Sequence, residues 1–503
     1  MPVSPLSCKF SIVNSKQKDN NTLFEKVRKQ FIGLDTEYTL ATGETRQRIY
    51  LDSTATTLMM EAAHQVLERF YHHYGNTHSL LHFDAKIASR EYHWAHERIL
   101  HFVHADADSY TCFFTGSGTT SGINRLARVF RDIRPDKDVA IVSLMEHHSN
   151  DLPHRKHMKE VIHTPVKDMD GNMGCVCLDS LEQLLKEKEG SINYVALTGV
   201  SNVTGIVNPV NEAAELAHKY GALMLVDGAQ MLAHMSVHMT VPDNPAQNID
   251  ALVFSGHKTY VPGSPGVVIA RKDILSKIEP EEVGGGMVQD VYMDRYEIKN
   301  FFPDREEAGT PNIPGAIALA AAIDVLDRIG MDFLQEEEER LIKMVIDGMK
   351  ANSEIQIYGE SDPNICERSA SVSFNIKQMD HGLVAAILND YFGIAVRNDC
   401  FCAHPYVKEM IMDELLEATE EIPMEKIEAA FHLKRGMVRA SFAIYTTAED
   451  IKTLISALND ITERKEFYKN QYHVVNENYI HKTFTLRDDQ RFTVLSTLEE
   501  ILY

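Results

Sequence analysis

Asn248–Ala270 reads NIDALVFSGHKTYVPGSPGVVIA. Ala251 to Phe254 is an apolar run of strand length. Ser255-Gly256-His257-Lys258 breaks it, Gly263, Pro265 and Gly266 hold the chain in a loop, and Val267 to Ala270 is a second strand-like run. A lysine at a strand mouth among small residues is a poor core choice. Partial burial lowers a lysine pKa, and the neutral amine can form a Schiff base. Taken alone, the four residues SGHK fit a surface lysine in a polar turn better.

A second stretch changes that balance. Ala222 to Val226 (ALMLV) runs into Asp227-Gly228-Ala229-Gln230. Pyridoxal phosphate (PLP) needs a lysine for its aldehyde and a carboxylate to keep its pyridinium nitrogen protonated, so that the ring acts as an electron sink. VDGAQ followed by FSGHK resembles the fold-type I PLP enzymes called class V aminotransferases. Within them it is most similar to the group II cysteine desulfurases and selenocysteine lyases. The likeness covers about residues 48–450; its motifs are strong jointly and weak singly.

The chain's 503 residues, 44% of them hydrophobic, suffice for more than one domain. A net charge of -23 repels phosphate backbones and anionic lipid, so neither nucleic acid nor membrane is expected as a partner. The first residues, MPVSPLSCKFSIVNSKQKDNN, carry no apolar h-region of a signal peptide, and no apolar run spans a bilayer. Seven cysteines, an odd number, argue against a disulfide framework and for a reducing cytoplasm.

Residues 22–31 have the pattern of a short amphipathic helix. From Arg48 onward, apolar runs (Cys112 to Phe114, Val139 to Val142, Tyr194 to Leu197, Leu223 to Val226, Ala251 to Phe254) alternate with helical segments such as Gly122 to Asp132 and Asn211 to Tyr220. That alternation predicts an α/β fold, a mostly parallel sheet flanked by helices, with ligands at the strands' carboxyl ends. After Thr310 the pattern becomes two long helices, Ile313 to Ile329 and Asp332 to Lys350, then strands and helices of a smaller α+β domain. The expected division is an N-terminal segment, 1–47, that joins the small domain, as the resemblance implies; a large PLP-binding domain, 48–312; a small domain, 313–450, with an acidic helix-like insertion near 410–436; and a C-terminal helix and extension, 451–503.

Phe113 to Asn124 (FFTGSGTTSGIN) is a strand, a Gly/Ser/Thr turn and a helix start, a natural anion site; ordinary N-capping by Thr119 or Ser121 is the plainer reading. The resemblance puts Thr119, Thr120, Ser255 and His257 on the cofactor phosphate. It lays His147 of EHHSN flat over the ring as a proton shuttle, and gives Asn202 of SNVTG to cofactor and substrate. Gln230 would reach the ring hydroxyl, Asp227 the pyridinium, and Lys258 the aldehyde. Arg439 of VRAS would hold the substrate carboxylate, with Arg397 at the same pocket. Thr310 of EAGTPN would serve the neighbouring subunit's phosphate, which implies a homodimer.

The sulfur chemistry rests on Val396 to Pro405, VRNDCFCAHP. Group II desulfurases have RTGHHCA here. Aligning Arg397 and Ala403 places Cys402 on the sulfur-accepting cysteine, while Asp399, Cys400 and Phe401 replace Gly-His-His. An adjacent carboxylate raises a thiol pKa. In an extended loop Cys400 would point the same way as Cys402 and could serve as a resolving thiol. The plainer reading makes both small packed residues. Neither this C-x-C nor Cys175/Cys177 has zinc-site spacing, so no metal is expected.

The resemblance thus implies a PLP-dependent enzyme that moves sulfur from L-cysteine to Cys402 and on to an acceptor protein, leaving alanine. Two alternatives stand beside it. One is another class V reaction (aminotransferase, β-lyase or epimerase) without covalent cysteine catalysis. The other is a catalytically silent scaffold, which the intact Lys258, Asp227, Thr119 and Arg439 oppose.

Overall fold

The five apolar runs are strands of one sheet. The computed structural model describes residues 21–77, 79, 81–169, 171–369, 371–412, 436–486 and 492–503. Its central sheet comprises β1 (Tyr110–Thr115), β2 (Val139–Ser143), β3 (Glu160–Thr164), β4 (Ile192–Thr198), β5 (Leu223–Asp227), β6 (Ala251–Ser255) and β7 (Gly266–Arg271), in the spatial order β1-β7-β6-β5-β4-β2-β3. Only β7 runs antiparallel to its neighbours. Alternate residues along each strand feed two separate cores. Phe114, Ile141, Leu197, Val226 and Phe254 lie in one; Phe113, Val142, Ala196, Leu225 and Val253 lie in the other. Both faces are covered, so the strands read as unbroken apolar runs rather than alternating ones.

The first core is closed by helices α1 (Phe83–Phe102) and α3 (Ile313–Ile329), the second by α2 (Gly118–Ile133). Helix α2 begins four residues earlier than the sequence pattern suggests, because Gly118 turns the chain at φ +58°. Thr119 and Thr120 therefore lie in its first turn. Gly122 seats it on the sheet: a Cβ there would overlap Val253 Cγ1 and lie 2.7 Å from Val268 Cγ2. Gly122→Ala is expected to cost about 1–3 kcal/mol by overpacking and to lower the thermal midpoint by a few degrees. An unchanged midpoint would mean the helix can stand off the sheet.

Beyond α3 and α4 (Met331–Lys350), a four-stranded antiparallel sheet follows: β8 (Ile355–Ile357), β9 (Ser371–Ile376), β10 (Arg397–Asp399) and β11 (Met437–Ser441), ordered β8-β9-β11-β10. It packs with α4, α5 (His381–Phe392) and α7 (Ala448–Glu463) around Phe374, Leu388, Phe442 and Leu454; α6 (His404–Met410) follows the cysteine loop. The chain ahead of the large sheet ties into this smaller unit. Ile49–Tyr50 pair in parallel with Ile394–Ala395, and Ala41 N donates to Asp390 O at 2.8 Å. Residues 413–435, most of the acidic insertion, lie outside the described residues.

Candidate active site

Every parallel strand that carries a candidate residue delivers it at the same carboxyl edge. Strand β1 ends in the Gly116–Gly118 turn, β2 leads to His147, β4 to Asn202, β5 ends on Asp227 and β6 on Ser255, with Lys258 in the short helical turn that follows.

The turn before α2 is built as a cradle. Thr119 N and Thr119 Oγ1 lie 2.8 and 2.7 Å from Ser255 Oγ, and a Cβ on Gly118 would stand 2.5 Å from that hydroxyl. Thr120 Oγ1 lies 2.7 Å from Ser149 Oγ. Gly266 presses against Gly118: a Cβ there would be 2.5 Å from the Gly118 carbonyl carbon. The hydroxyls of Thr119, Thr120 and Ser255 and the Thr119 N–H thus gather at one helix N-terminus, the arrangement that binds an anion. His257 Nδ1 lies 3.2 Å from Thr56 Oγ1, and its carbonyl accepts from Thr57 N at 3.0 Å. The Ser53–Thr57 segment thereby closes the same rim. Gln230 Nε2 donates to Thr54 O at 2.8 Å.

The charges are arranged for proton work. Burial pulls the Lys258 ammonium down to about 8; Arg439 pushes the same way, while Asp227 and Cys402 oppose it. Asp227 is 2% exposed, and burial raises its carboxyl against a hydrogen bond from Ala229 N (2.9 Å) and the pull of Lys258. Burial, helped by the nearby Lys258, lowers His147 to about 3. Its Nδ1 accepts from Ser149 N at 3.0 Å, so its other nitrogen carries the hydrogen of the neutral ring. Beneath it, burial lifts Glu146 to about 8, although Ser143 Oγ (2.5 Å), Asn150 Nδ2 (2.6 Å) and Thr198 N (3.0 Å) all donate to it.

Arg439 and Arg397 face each other across β11 and β10. Arg439 is 3% exposed. It donates to Asn202 O (2.7 Å) and Asp52 Oδ1 (3.3 Å), and its guanidinium lies over the Phe401 ring at 4.7 Å, while its Nε has no hydrogen-bond partner among the described residues. Arg397 is largely exposed, with Nη1 4.0 Å from Asp52. Asp52 was no candidate in the sequence. Its only signal is its place two residues past the Ile49–Tyr50 strand.

The cysteine loop departs from the sequence expectation. Phe401 and Cys402 take φ +50° and +57°, so the loop is a left-handed turn and not extended. The two thiols therefore part: Cys402 is exposed, whereas Cys400 is 1% exposed in an apolar cluster with Met145, Tyr406 and Met437. Cys400 as a resolving thiol pointing with Cys402 is thereby corrected. The turn is pinned to the strand tips by Asn202 Nδ2 donating to Phe401 O and His148 N donating to Cys402 O, both at 2.7 Å. Thr310 is exposed and accepts from Asn76 Nδ2 at 3.1 Å.

A mostly parallel sheet with its functional residues on one carboxyl edge, and a smaller α+β unit closing over them, is the fold-type I architecture of PLP-dependent enzymes. The profile of the family described as aminotransferase class V matches residues 49–454, and the chain belongs to that family. A protein of Halalkalibacterium halodurans named probable cysteine desulfurase is 35% identical over 82% of this chain and 93% of its own length. A cysteine desulfurase of Cronobacter sakazakii is 32% identical over 81% and 92%. Among solved structures, the apo cysteine desulfurase of Thermococcus onnurineus superposes with a TM-score of 0.73 at 28% identity, covering 87% of this chain and 98% of that one. The cysteine desulfurase CsdA of Escherichia coli gives 0.68 at 28%, covering 88% and 98%. Among the described residues, no helix is long and apolar enough to cross a membrane, and no cluster could hold a metal ion.

Proposed function

We propose that the protein is a PLP-dependent cysteine desulfurase that takes sulfur from L-cysteine onto Cys402. The observation that carries this reading is the exposed Cys402 thiol on a left-handed turn, pinned to the strand tips that also carry Lys258, Asp227 and the phosphate cradle. The residues fit the cofactor. The cradle of Thr119, Thr120, Ser255 and His257 would hold its phosphate, Asp227 its ring nitrogen, Gln230 its hydroxyl, His147 its face and Lys258 its aldehyde. When bound it supplies an electron sink for bonds at the substrate's α-carbon.

The chain's own groups then divide the work. Arg439, already a fork aimed at an oxygen of Asp52, would exchange that carboxylate for the substrate's, with Arg397 and Asn202 beside it. Lys258, held near neutral pH by burial, moves protons to and from the substrate carbon. The Cys402 sulfur attacks the substrate sulfur. The substrate's C–S bond breaks as the S–S bond forms, the carbon takes a proton, and alanine leaves a persulfide on Cys402. Atoms balance with no further oxidant, and an acceptor protein then removes the sulfur.

Product analysis with L-cysteine tests the reading. Alanine and enzyme-bound sulfane sulfur in equal amounts support it; pyruvate, or no product, overturns it in favour of another class V reaction. A pH test follows from Lys258, whose nucleophilic form is the neutral amine. Capture of added PLP by apo-protein, read at the visible absorption band, should rise about tenfold per pH unit up to about 8 and level off above it. A profile that keeps rising about tenfold per unit past pH 9, as an ordinary lysine's would, would contradict the depressed amine.

Thr310, exposed and hydrogen-bonded to Asn76, supports a homodimer in which each subunit completes the other's phosphate site. A fully active monomer in sedimentation velocity would end that proposal. We read 1–47 with the small domain, 48–312 as the PLP-binding domain, 313–450 as the small domain and 451–503 as its extension. Among the described residues no two cysteines form a disulfide, which suits a reducing cytoplasm.

A further inference from the structure

The turn that carries Cys402 is costly to hold. Three of its residues, Asp399, Phe401 and Cys402, have φ of 103°, 50° and 57°, and none is glycine. Left-handed backbone at ordinary residues persists only where surroundings impose it, and such strain gathers at functional sites. The inner side of the turn is accounted for. Phe401 and Ala403 are buried, Asn202 holds the Phe401 carbonyl, and Arg439 covers the Phe401 ring.

The other anchor is a pair of histidines, neither used in the chemistry above. His404 opens α6 immediately after the loop, and its ring stacks on His148 with centroids 4.7 Å apart and planes 7° apart. His404 Nδ1 lies 2.9 Å from His148 Nε2, so one ring donates and the other accepts a single hydrogen. The His148 backbone N–H also donates to the Cys402 carbonyl at 2.7 Å. His148 follows His147 at the tip of β2. The pair thus clasps the sulfur-accepting loop, by the Cys402 carbonyl and by the residue two past the thiol, to the strand end that presents His147.

We propose that His404 and His148 are positioning residues that fix the Cys402 thiol at the distance and angle its attack requires. This rests on Cys402 being the sulfur acceptor. Neither histidine needs to touch substrate. Rate is lost because a loosened thiol samples fewer reactive geometries, whereas substrate binding at Arg439 and Lys258 is untouched.

The test compares His404→Ala, His404→Asn and His148→Ala holoenzymes by two readouts. One is kcat and KM for alanine formation from L-cysteine. The other is the rate of Cys402 alkylation by iodoacetamide, followed by peptide mass spectrometry. Asparagine keeps a hydrogen-bonding atom where His404 Nδ1 stands, so it should retain wild-type behaviour within about twofold. Both alanine variants should lose about tenfold in kcat with KM within about twofold, and Cys402 should be alkylated several-fold faster. The double variant should be no worse than either single one, because both remove one clasp. An unchanged alkylation rate in His404→Ala, or equal losses in His404→Asn and His404→Ala, overturns the proposal. Should the wild type make no alanine, the desulfurase reading fails, yet the alkylation comparison still decides whether the clasp exists.

Discussion

Lys258→Ala is expected to lower alanine formation from L-cysteine by about 10³-fold or more, the loss that follows when the attachment point and the proton carrier are one residue. The fold should survive the change. Lys258 closes a short helical turn after β6, and its ammonium makes no hydrogen bond or ion pair among the described residues. Burial, with Arg439 pushing the same way, disfavours its charge by more than Asp227 and Cys402 favour it, so its removal relieves a net penalty. The thermal midpoint of the apo-protein should therefore not fall. Borohydride reduction of wild-type holoenzyme followed by peptide mapping should place the pyridoxyl group on the peptide containing Lys258. Attachment to another lysine, or a Lys258→Ala variant with wild-type turnover, would remove this residue from the centre of the site.

The strand tips were legible because each pairs an apolar run with a chemically odd residue just past its end. Asp after ALMLV, Lys after ALVFS and His after the Ala140 to Leu144 run are hard to explain as packing, and β6, β5 and β2 place them on one edge. The sheet was legible for a related reason: both of its faces are covered, so its strands read as continuous apolar runs. What stayed hidden is what depends on distant chain or on backbone sign. Asp52 reaches Arg439 across 387 positions, and His404 meets His148 across 256. No local pattern announces either contact. The left-handed turn at Phe401 and Cys402 was invisible because neither residue type signals positive φ; only glycine or asparagine would have. Gly118 did carry that signal, yet the run of small residues around it left the helix start open over four positions.

The same turn makes the two thiols separable by experiment. Cys402→Ser should keep the spectral response to L-cysteine, because Lys258, Asp227 and Arg439 remain, but should make alanine at less than about a hundredth of the wild-type rate, since a serine hydroxyl cannot accept the sulfur. Cys400→Ser should do the reverse. Its side chain is 1% exposed among Met145, Tyr406 and Met437, and a substitution at so buried a position is expected to cost about 0.5–3 kcal/mol. Stability should fall while the folded fraction still forms alanine in a single turnover. Had the loop been extended, both cysteines would face the substrate and both substitutions would alter sulfur handling. Two outcomes decide against the present assignment. Wild-type alanine formation by Cys402→Ser makes the loop structural and favours a class V reaction without covalent cysteine chemistry. Loss of alanine formation in a fully folded Cys400→Ser moves the sulfur acceptor two residues back along the chain, against the burial that separates the two thiols.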